Sequence, residues 1–595
     1  MADRVVIDPI TRIEGHLRIE LETSGGKITD AWSSTTQYRG FEEILVGRDP
    51  RDAWAFTNRI CGVCTGTHAL ASISAVENAI GSQPPEQAVL IRDMILSATD
   101  IHDHVVHFYH LHALDFVNAA NAASADPQKA VDFAKSIGST WRGNNLTRMT
   151  EVRDTVKNLV ESGQLSVFTG GYWGHSDYRL QPEADLMAVA HYLDALEFQR
   201  SMIRIVTTFG GKNPHPHFLV GGMACTIDQN KSETVNQVQV SQLQAWIAEI
   251  NEFVATCYVP DAMAIVGVYK DYFDIGAANP NYLAVGLAGA TFSGDPNEVP
   301  KFPTSKMAVK PGVIYDDDFS QVHPFDPTLI AESVNSTWLS YEGGEKALTP
   351  DKGQTKMAYS GPQPPYESKT MASDDSVLVV SRDSDWDGKY TWCKEPMYNG
   401  KRMQVGPVAR VIMAYAQGHP RMKEIVDGAV AKLGITLGQM NSTAGRALAR
   451  AAECLLTAEI LAQDTFPKFV ENLKKGNIDV FDASKWEPSS WPKESSGYGM
   501  VEVARGMLSH WVTVKDRKIE RYQCVVPTTW LGGGRDESGQ MSPFEHSLAG
   551  DKNHPLADPK QPLEVLRTIH SFDPCMSCAV HVLDVDGNIL QVAQS

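Results

Sequence analysis

The sequence predicts an α+β protein that is predominantly helical, with a large helical body and small β segments near its two ends. Apolar residues recur at helical spacing over much of residues 85–475, whereas they alternate with polar residues near the start and again after residue 500. A chain of 595 residues could form several average domains. We nevertheless expect a single interlocked domain over residues 1–581.

The composition is that of an ordinary globular protein, with 43% hydrophobic and 21% charged residues. The net charge of -19 argues against a nucleic-acid partner, because phosphate backbones are bound by clustered Lys and Arg. The first residues lack the apolar core of a signal peptide, and no run of about 18 apolar residues occurs. We therefore expect neither a signal of its own nor a transmembrane segment.

The N-terminal β segment, residues 1–60, opens with short strands. Apolar and polar residues alternate over residues 4–36, and Gly25-Gly26 provides a turn. Glu14 stands at the start of a strand within this segment, where a carboxylate is ordinarily a surface group.

Helical periodicity governs residues 85–475. The first helix is predicted from Pro85 to about Asn121. Further helices are predicted at about 146–163, 181–209, 231–257, 407–434 and 438–475. Residues 275–400 break the rhythm with many Pro, Gly, Asp and Ser, and we interpret them as irregular surface excursions with a few short strands.

Five histidines lie within residues 102–112. Their spacing drifts around a helix and gives no clear set of metal ligands, which favours hydrogen-bonded core histidines. Asp103 lies among them, and a carboxylate in an apolar helix needs a partner.

The C-terminal β segment, residues 500–581, begins with alternation from about Val503 to Val526 and a predicted turn near 516–518. Residues 582–595 then read as a strand, an Asp-Gly turn and a second strand. The plain interpretation of this tail is a terminal hairpin.

Two Cys-x-x-Cys pairs lie at opposite ends of the chain, Cys61 with Cys64 and Cys575 with Cys578. A thiolate metal site needs about four donors, so each pair is half a site. If both pairs bind one metal, the fold must bring the two β segments together there. Nine cysteines are too few for a disulfide framework. The unpaired ones are expected to be small buried hydrophobes: Cys225, Cys257, Cys393, Cys454 and Cys524.

Spacing alone leaves three interpretations of the pairs open. They could form a structural zinc site, a catalytic or redox thiolate site, or be unrelated. Structural zinc sites usually place their second pair within tens of residues, and redox disulfides usually open a helix in a βαβ unit. In this chain the two pairs are far apart in the sequence, and neither pair lies in a predicted βαβ unit.

The end motifs resemble a known family. Residues 59–68 (Arg-Ile-Cys-Gly-Val-Cys-Thr-Gly-Thr-His) and 573–581 (Asp-Pro-Cys-Met-Ser-Cys-Ala-Val-His) are similar to the two signatures of nickel-iron hydrogenase large subunits. Further similarity covers residues 8–16, 47–54, 102–114 and 525–530. The order and spacing resemble the respiratory, membrane-associated uptake branch. The resemblance implies an enzyme that reversibly and heterolytically cleaves H2 to protons and electrons.

The resemblance also implies the metal ligands. All four cysteines would bind nickel, Cys61 and Cys575 as terminal ligands, and Cys64 and Cys578 as bridges to an iron that carries carbon monoxide and cyanide. Soft thiolates suit both metals. His68 would donate a hydrogen bond toward a bridging sulfur.

The residues around the metals follow from the same resemblance. Arg505, Pro527 and Thr528 would line the diatomic ligands of the iron, and Arg505 with Asp103 and Asp573 would form a polar canopy. In this sequence Ala504 precedes Arg505 where the family usually has Pro, so the fixed φ of proline is lost there.

Glu14 gains a role by resemblance, as the first proton acceptor, receiving from Cys575. A buried carboxyl with a raised pKa suits that task. A second metal, Mg²⁺, would be bound by Glu42, His581 and the backbone carbonyl of Cys524, since oxygen ligands suit Mg²⁺. The plain alternative is an exposed Glu and an ordinary histidine near the C-terminus.

The implied partner is a small subunit carrying iron-sulfur clusters, because this chain has no cysteine set for clusters beyond its four site cysteines. The heterodimer would pass electrons to a membrane cytochrome or another acceptor in anaerobic respiration, and two heterodimers could associate. The signal-bearing small subunit would carry this chain to the periplasmic side of the membrane. A maturation endopeptidase would remove residues 582–595 after His581.

Two other protein classes compete with this interpretation. One is a non-catalytic scaffold, since a related quinone-reductase subunit shares the hydrogenase fold but lacks the cysteine pairs. The other is a structural zinc tetrathiolate protein. All four cysteines are present here, which argues against the scaffold.

Overall fold

A computed structural model describes residues 3–165, 175–287, 291–294, 309–358, 388–551 and 553–576. Helices dominate them, as the sequence predicts. The α-helices are α1 Phe41–Ile44, α2 Ala53–Thr57, α3 Thr67–Ile80, α4 Glu86–Val106, α5 Pro127–Ser136, α6 Leu146–Glu161, α7 Pro182–Gly210, α8 Gln237–Phe253, α9 Val259–Val268, α10 Pro407–Ala416, α11 Pro420–Leu433, α12 Thr443–Ile460, α13 Phe466–Lys475, α14 Pro527–Gly532, α15 Pro543–Ala549 and α16 Leu563–His570.

The strands are short except in two sheets near the chain ends. They are β1 Asp3–Ile7, β2 Leu17–Ser24, β3 Lys27–Thr35, β4 Tyr282–Ala284, β5 Thr291–Gly294, β6 Gly312–Ile314, β7 His323–Pro324, β8 Ile330–Ser333, β9 Leu339–Tyr341, β10 Ala347–Leu348, β11 Thr355–Met357, β12 Glu395–Tyr398, β13 Glu494–Val503, β14 Gly506–Lys515 and β15 Lys518–Val525.

The N-terminal sheet is antiparallel with the order β1-β2-β3. Gly25 and Gly26 form the predicted turn between β2 and β3, both at positive φ (60° and 76°) that glycine adopts without steric cost. Strand β3 lies against the C-terminal part of the chain, because the amide of Ile28 donates to the carbonyl of His554 (3.0 Å). The N-terminal sheet is therefore joined to the segment around His554.

The C-terminal sheet has the order β15-β14-β13-β5 and is antiparallel throughout. The sequence predicted its strands β14 and β15 but not β13. Helix α3 packs on β13 at very short range, since a Cβ on Gly499 would lie 2.2 Å from the carbonyl oxygen of Ala71. Small residues on both elements allow this contact, which holds α3 directly over the sheet.

The helical body contains one large apolar core. Helices α3, α4, α7, α8, α9, α10 and α12 contribute buried side chains to it, and the three described site cysteines belong to it as well. Two of the predicted long helices are each divided into two α-helices. Gly418 (φ 78°) and Pro420 separate α10 from α11, and a π-helical turn, Leu461–Thr465, connects α12 to α13. None of the helices within the described ranges is long and apolar enough to cross a bilayer.

The region between residues 275 and 400 has the predicted short strands, but its described parts are not a surface excursion. Leu283, Val313 and Cys393 are fully buried in a second core that also covers the N-terminal sheet. Glu332 and Glu395 are fully buried as well. The prediction was wrong because turn-forming residues indicate short elements and carry no information on burial.

Candidate metal centre

The first cysteine pair lies on a tight turn that enters helix α3. The backbone amides of Val63 and Cys64 point at the sulfur of Cys61, at 3.3 and 3.4 Å. Gly66 (φ 80°) then turns the chain into the helix, and the hydroxyl of Thr67 donates to the carbonyl of Cys64 (2.7 Å). A side chain at Gly66 would meet Pro216 at 3.0 Å, so the turn needs glycine for conformation and for space.

Cys575 follows the end of α16 and is paired with the N-terminal segment. Glu14 and Cys575 form a parallel β-bridge, in which the amide of Met576 donates to the carbonyl of Glu14 (2.8 Å). The amide of Cys575 donates to the hydroxyl of Thr528 (3.2 Å). Both contacts fix the backbone that carries this sulfur.

Three cysteine sulfurs from opposite ends of the chain converge. The sulfurs of Cys61 and Cys575 are 3.5 Å apart, and those of Cys61, Cys64 and Cys575 all lie within 4.8 Å of one another. All three residues are buried. Cys578 lies outside the described residues. A compact, buried set of soft sulfur donors fits thiolate-bound nickel and iron.

Glu14 contacts this cluster directly. Its Oε2 lies 3.3 Å from the sulfur of Cys575. The side chain is half-buried rather than enclosed, unlike the sequence-based expectation. The preceding turn contains Arg12 at φ 54°, which donates to the carbonyl of Leu111 (2.5 Å) and forms an ion pair with Asp115.

Arg505 is bound by two carboxylates, the pair that the family resemblance implied. Its Nη1 lies 2.8 Å from Oδ2 of Asp103, and its Nη2 lies 3.1 Å from Oδ1 of Asp573. Burial alone would lower the pKa of Arg505, but these carboxylates and the nearby cysteines raise it well above its usual value. The guanidinium is therefore a permanent charge beside the sulfurs. Burial raises the pKa of Asp573, an effect that Arg505 opposes.

The backbone before Arg505 is held although Ala504 replaces the usual proline. The carbonyl of Ala504 accepts from Nη1 of Arg450 (3.1 Å) and from Nη2 of Arg410 (3.3 Å). Arg450 also donates to the carbonyl of Phe572 (2.7 Å), close to Asp573. Hydrogen bonds from two buried arginines thus restrain the backbone at Ala504, where the fixed φ of a proline ring is missing.

Sequence reasoning missed these arginines. Arg450 and Glu453 lie in the Ala-rich, buried helix α12, and Glu453 pairs with Arg410 and His104. Charged residues inside an otherwise apolar helix were a usable signal, because they require buried partners.

Pro527 and Thr528 begin the short helix α14 and are both buried. His68, in the first turn of α3, is buried too, and its Nδ1 lies 3.0 Å from Nε2 of His510. His510 was not singled out in the sequence.

The histidine stretch behaves as predicted for several members. His107 and His112 are buried and contact the carbonyls of His570 (2.6 Å) and Arg567 (3.0 Å). The chain there forms a π-helical turn, His107–His112, which the helical pattern did not predict.

The proposed magnesium ligands are partly described. Glu42 is buried, and its Oε1 accepts from the backbone amide of Cys524 (2.8 Å) and from the ammonium of Lys394 (3.0 Å). Lys394 also contacts Glu332 at 2.7 Å. His581 lies outside the described residues. Sequence reasoning missed Lys394, which gives Glu42 a buried cationic neighbour and excludes the exposed-Glu alternative.

Comparisons with known families agree with this geometry. A family model described as nickel-dependent hydrogenase matches residues 39–581, and another described as HoxL-like matches residues 4–38. The chain belongs to the nickel-dependent hydrogenases. It is the catalytic large subunit of a nickel-iron hydrogenase.

Relatives of this hydrogenase match it over nearly their whole length. The uptake hydrogenase large subunit of Bradyrhizobium diazoefficiens is 44% identical, over 99% of this chain and 96% of that protein. The hydrogenase-1 large chain of Escherichia coli K12 is 42% identical, over 99% of this chain and 96% of that protein.

Solved structures also resemble this hydrogenase. The Ni-Fe-Se hydrogenase of D. vulgaris Hildenborough is 29% identical with a TM-score of 0.72, covering 98% of this chain and 100% of that one. The reduced Ni-Fe-Se hydrogenase of Desulfomicrobium baculatum is 28% identical with a TM-score of 0.70, covering 97% and 100%. The hydrogenase fold is thus supported by both sequence and structure.

Proposed function

We propose that this subunit reversibly and heterolytically cleaves H2 at a nickel-iron centre bound by Cys61, Cys64, Cys575 and Cys578. The observation that carries the proposal is the mutual proximity of the first three sulfurs, within 4.8 Å. When bound, such a centre supplies the Lewis acidity and redox change that split H2. Cys64 and Cys578 would bridge to an iron carrying carbon monoxide and cyanide.

Glu14 takes the proton in this proposal. The 3.3 Å separation between the sulfur of Cys575 and Oε2 of Glu14 is short enough for direct transfer. Because Glu14 is half-buried, it can pass the proton outward during H2 oxidation and inward during H2 evolution. The backbone bridge between Glu14 and Cys575 keeps donor and acceptor together.

Arg505, Asp103 and Asp573 would form a polar canopy above the metal centre. The two carboxylates fix the guanidinium plane, which remains charged and can polarise H2 at close range. Thr528 accepts a hydrogen bond from the amide of Cys575, so its own hydroxyl proton is available for a cyanide nitrogen. Pro527 would pack beside the same iron ligands, and His68 would donate toward a bridging sulfur.

A Mg²⁺ ion would be bound by Glu42, the carbonyl of Cys524 and His581. Carboxylate and carbonyl oxygens suit this hard cation. Lys394 lies 3.0 Å from Oε1 of Glu42 and would share that carboxylate with the ion. Elemental analysis of Glu42→Gln should reveal a loss of magnesium with nickel retained, whereas retained magnesium would exclude Glu42 as its ligand.

The same family membership supports a small-subunit partner, since the relatives are named large subunits or large chains. We infer that an iron-sulfur small subunit receives the electrons and passes them to a membrane cytochrome or another acceptor. The complex would lie on the periplasmic side of the membrane. Residues 1–581 would form one interlocked domain, and an endopeptidase would remove residues 582–595. Mass spectrometry of active enzyme that still contained those residues would contradict the last step.

The decisive experiment is metal analysis of the purified complex combined with infrared spectroscopy. We expect nickel and iron in about equal amounts, and absorption bands of iron-bound carbon monoxide and cyanide. Zinc alone, without those bands, would instead identify a structural tetrathiolate site.

A further inference from the structure

A closed ring of hydrogen bonds joins the turn that carries Glu14 to the end of helix α16. Nε2 of His570 lies 2.7 Å from the carbonyl oxygen of Thr11, and Nδ1 of the same imidazole lies 2.6 Å from Oδ2 of Asp115. The other carboxylate oxygen of Asp115 accepts from the guanidinium of Arg12, the residue after Thr11. The ring of contacts therefore returns to the turn from which it starts.

The ring connects segments that are far apart in the sequence. Asp115 and His570 are 0% and 1% exposed. Arg12 also donates to the carbonyl of Leu111 (2.5 Å), and the backbone carbonyl of Asp115 accepts from Nε of Arg567 in α16 (2.9 Å). The turn at Arg12 is thus attached both to α16 and to the buried segment that contains Asp115.

The acceptors around His570 require a hydrogen on each nitrogen of its imidazole. The carbonyl of Thr11 can only accept, so Nε2 carries a hydrogen. The carboxylate of Asp115 is ionised beside the guanidinium of Arg12 and also only accepts, so Nδ1 carries a hydrogen as well. Asp115 therefore binds two cations, one from each of the segments that it joins.

The backbone of Arg12 depends on this anchoring. Its φ of 54° lies in the left-handed region, which a residue with a Cβ adopts at a steric cost. Such a conformation persists where the surrounding contacts fix it. Two residues later, Glu14 forms its β-bridge with Cys575. The bound side chain of Arg12 thus holds the turn that directs Glu14 toward this cysteine.

We propose that Arg12, Asp115 and His570 are positioning residues for proton transfer from Cys575 to Glu14. In that step the S–H bond of Cys575 breaks and an O–H bond forms on Oε2 of Glu14, which leaves a thiolate and a neutral carboxyl group. The ring fixes the backbone shortly before each of these two residues, and so maintains the 3.3 Å separation of their reacting atoms. This inference rests on the proposed function, which assigns the proton to Glu14.

The first test compares Arg12→Gly with Arg517→Gly in the loaded heterodimer. Arg517 is the matched control, because it is an exposed arginine at φ 67° in the turn between β14 and β15. Glycine suits both backbones, so each variant removes an arginine side chain without adding strain. We expect Arg12→Gly to form HD from H2 and D2O about 10²-fold more slowly, the loss caused by a displacement of about 1 Å. A wild-type rate in Arg12→Gly, or an equal loss in the control, would contradict the inference.

Two further readouts separate positioning from a structural role at the metals. The KM for H2 and the infrared band of iron-bound carbon monoxide should both remain as in the wild type, because the ring acts on the carboxylate of Glu14. A shifted band, or loss of nickel and iron from Arg12→Gly, would show instead that the ring supports the metal ligands.

A crystal structure of the Arg12→Gly complex measures the position of Glu14 independently of activity. The separation between Oε2 of Glu14 and the sulfur of Cys575 should exceed the 3.3 Å of the wild type. An unchanged separation would refute the positioning role.

A double variant distinguishes this inference from the proposed function. If Glu14→Gln forms HD at the wild-type rate, the assignment of Glu14 as proton acceptor is wrong, and the crystal structure still tests the ring. If Glu14→Gln is slow, adding Arg12→Gly should cause no further loss, because the acceptor is already absent. A further loss of about 10²-fold would mean that Arg12 acts by another route than Glu14.

Discussion

At the scale of single residues, the contact between Glu14 and Cys575 has the most direct consequence. Glu14→Gln keeps the size of the side chain but removes its capacity to accept a proton. We expect H2 oxidation to slow by about 10²- to 10⁴-fold, the usual contribution of a positioned acid-base group. Nickel and iron content should be unchanged.

The control for this variant is Glu22→Gln, an exposed carboxylate in the same N-terminal sheet. It should leave turnover as in the wild type. Loss of the metals from Glu14→Gln would show instead that Glu14 holds the site together structurally.

Asp185, in α7, makes stability depend on pH. It accepts from the backbone amide of Asn118 and from the side-chain amide of Asn121, both at 2.9 Å, and burial raises its pKa to about 7. A raised pKa means that the folded protein retains a proton that the unfolded chain releases above about 3.8. This carboxyl therefore costs stability as the pH rises from about 4 to about 7.

Asp185→Asn should remove that loss. Between a pH of about 4 and a pH of about 7, the free energy of unfolding of the variant should rise relative to that of the wild type by up to about 4 kcal/mol, since each pKa unit corresponds to about 1.4 kcal/mol. Thermal unfolding midpoints at pH values of about 5 and about 8 measure this difference. A constant difference between the two proteins at both pH values would contradict the assignment.

At the scale of elements, the contact between α3 and β13 determines where the first cysteine pair and His68 lie. Gly499→Ala would place a Cβ 2.2 Å from the carbonyl of Ala71, so the helix must move away. Overpacking of this kind typically costs about 1–3 kcal/mol. We expect a lower thermal midpoint and reduced nickel incorporation.

Gly428→Ala is the matched control, because Gly428 lies inside α11 with nothing within 4 Å of the added carbon. Alanine is a better helix former by about 1 kcal/mol, so this variant should be as stable as the wild type or more so. A midpoint for Gly499→Ala equal to that of the control would mean that the α3–β13 contact tolerates displacement.

At the scale of the whole molecule, a metal bound by Cys61 and Cys575 would join the two ends of the chain. A ligand that binds only the folded state stabilises it. Cys61→Ser should therefore lose nickel and unfold at a lower temperature. Elemental analysis and calorimetry measure both effects. Cys225→Ser, a half-buried cysteine outside the cluster, should change neither.

Much of this arrangement could be predicted from the sequence. Hydrophobic periodicity and turn residues identified the N-terminal strands. The two cysteine pairs predicted that the two β segments meet if both pairs bind one metal. The pairing of Asp103 with Arg505 followed from the cost of an isolated buried charge and from family resemblance. Local patterns could not predict the burial of residues near Leu283 and Cys393, which depends on contacts distant in sequence.

Three residues that contact the site residues were not predicted from the sequence, for the same reason. His510, Lys394 and Arg450 gain their significance only from groups on other elements, such as His68, Glu42 and the carbonyl of Ala504. The charge of Arg450 in an apolar helix indicated that it has a buried partner, but only the tertiary fold reveals which groups each of the three contacts.

The bridge between Glu14 and Cys575 also constrains the timing of biosynthesis. The two residues are 561 positions apart, and ribosomes add about 5–20 residues each second. For roughly half a minute to two minutes the nascent N-terminal segment therefore waits without its pairing partner. The thiols of Cys61 and Cys64 must stay reduced, without forming a disulfide, throughout that interval. The centre can therefore be assembled only after translation has passed Cys575.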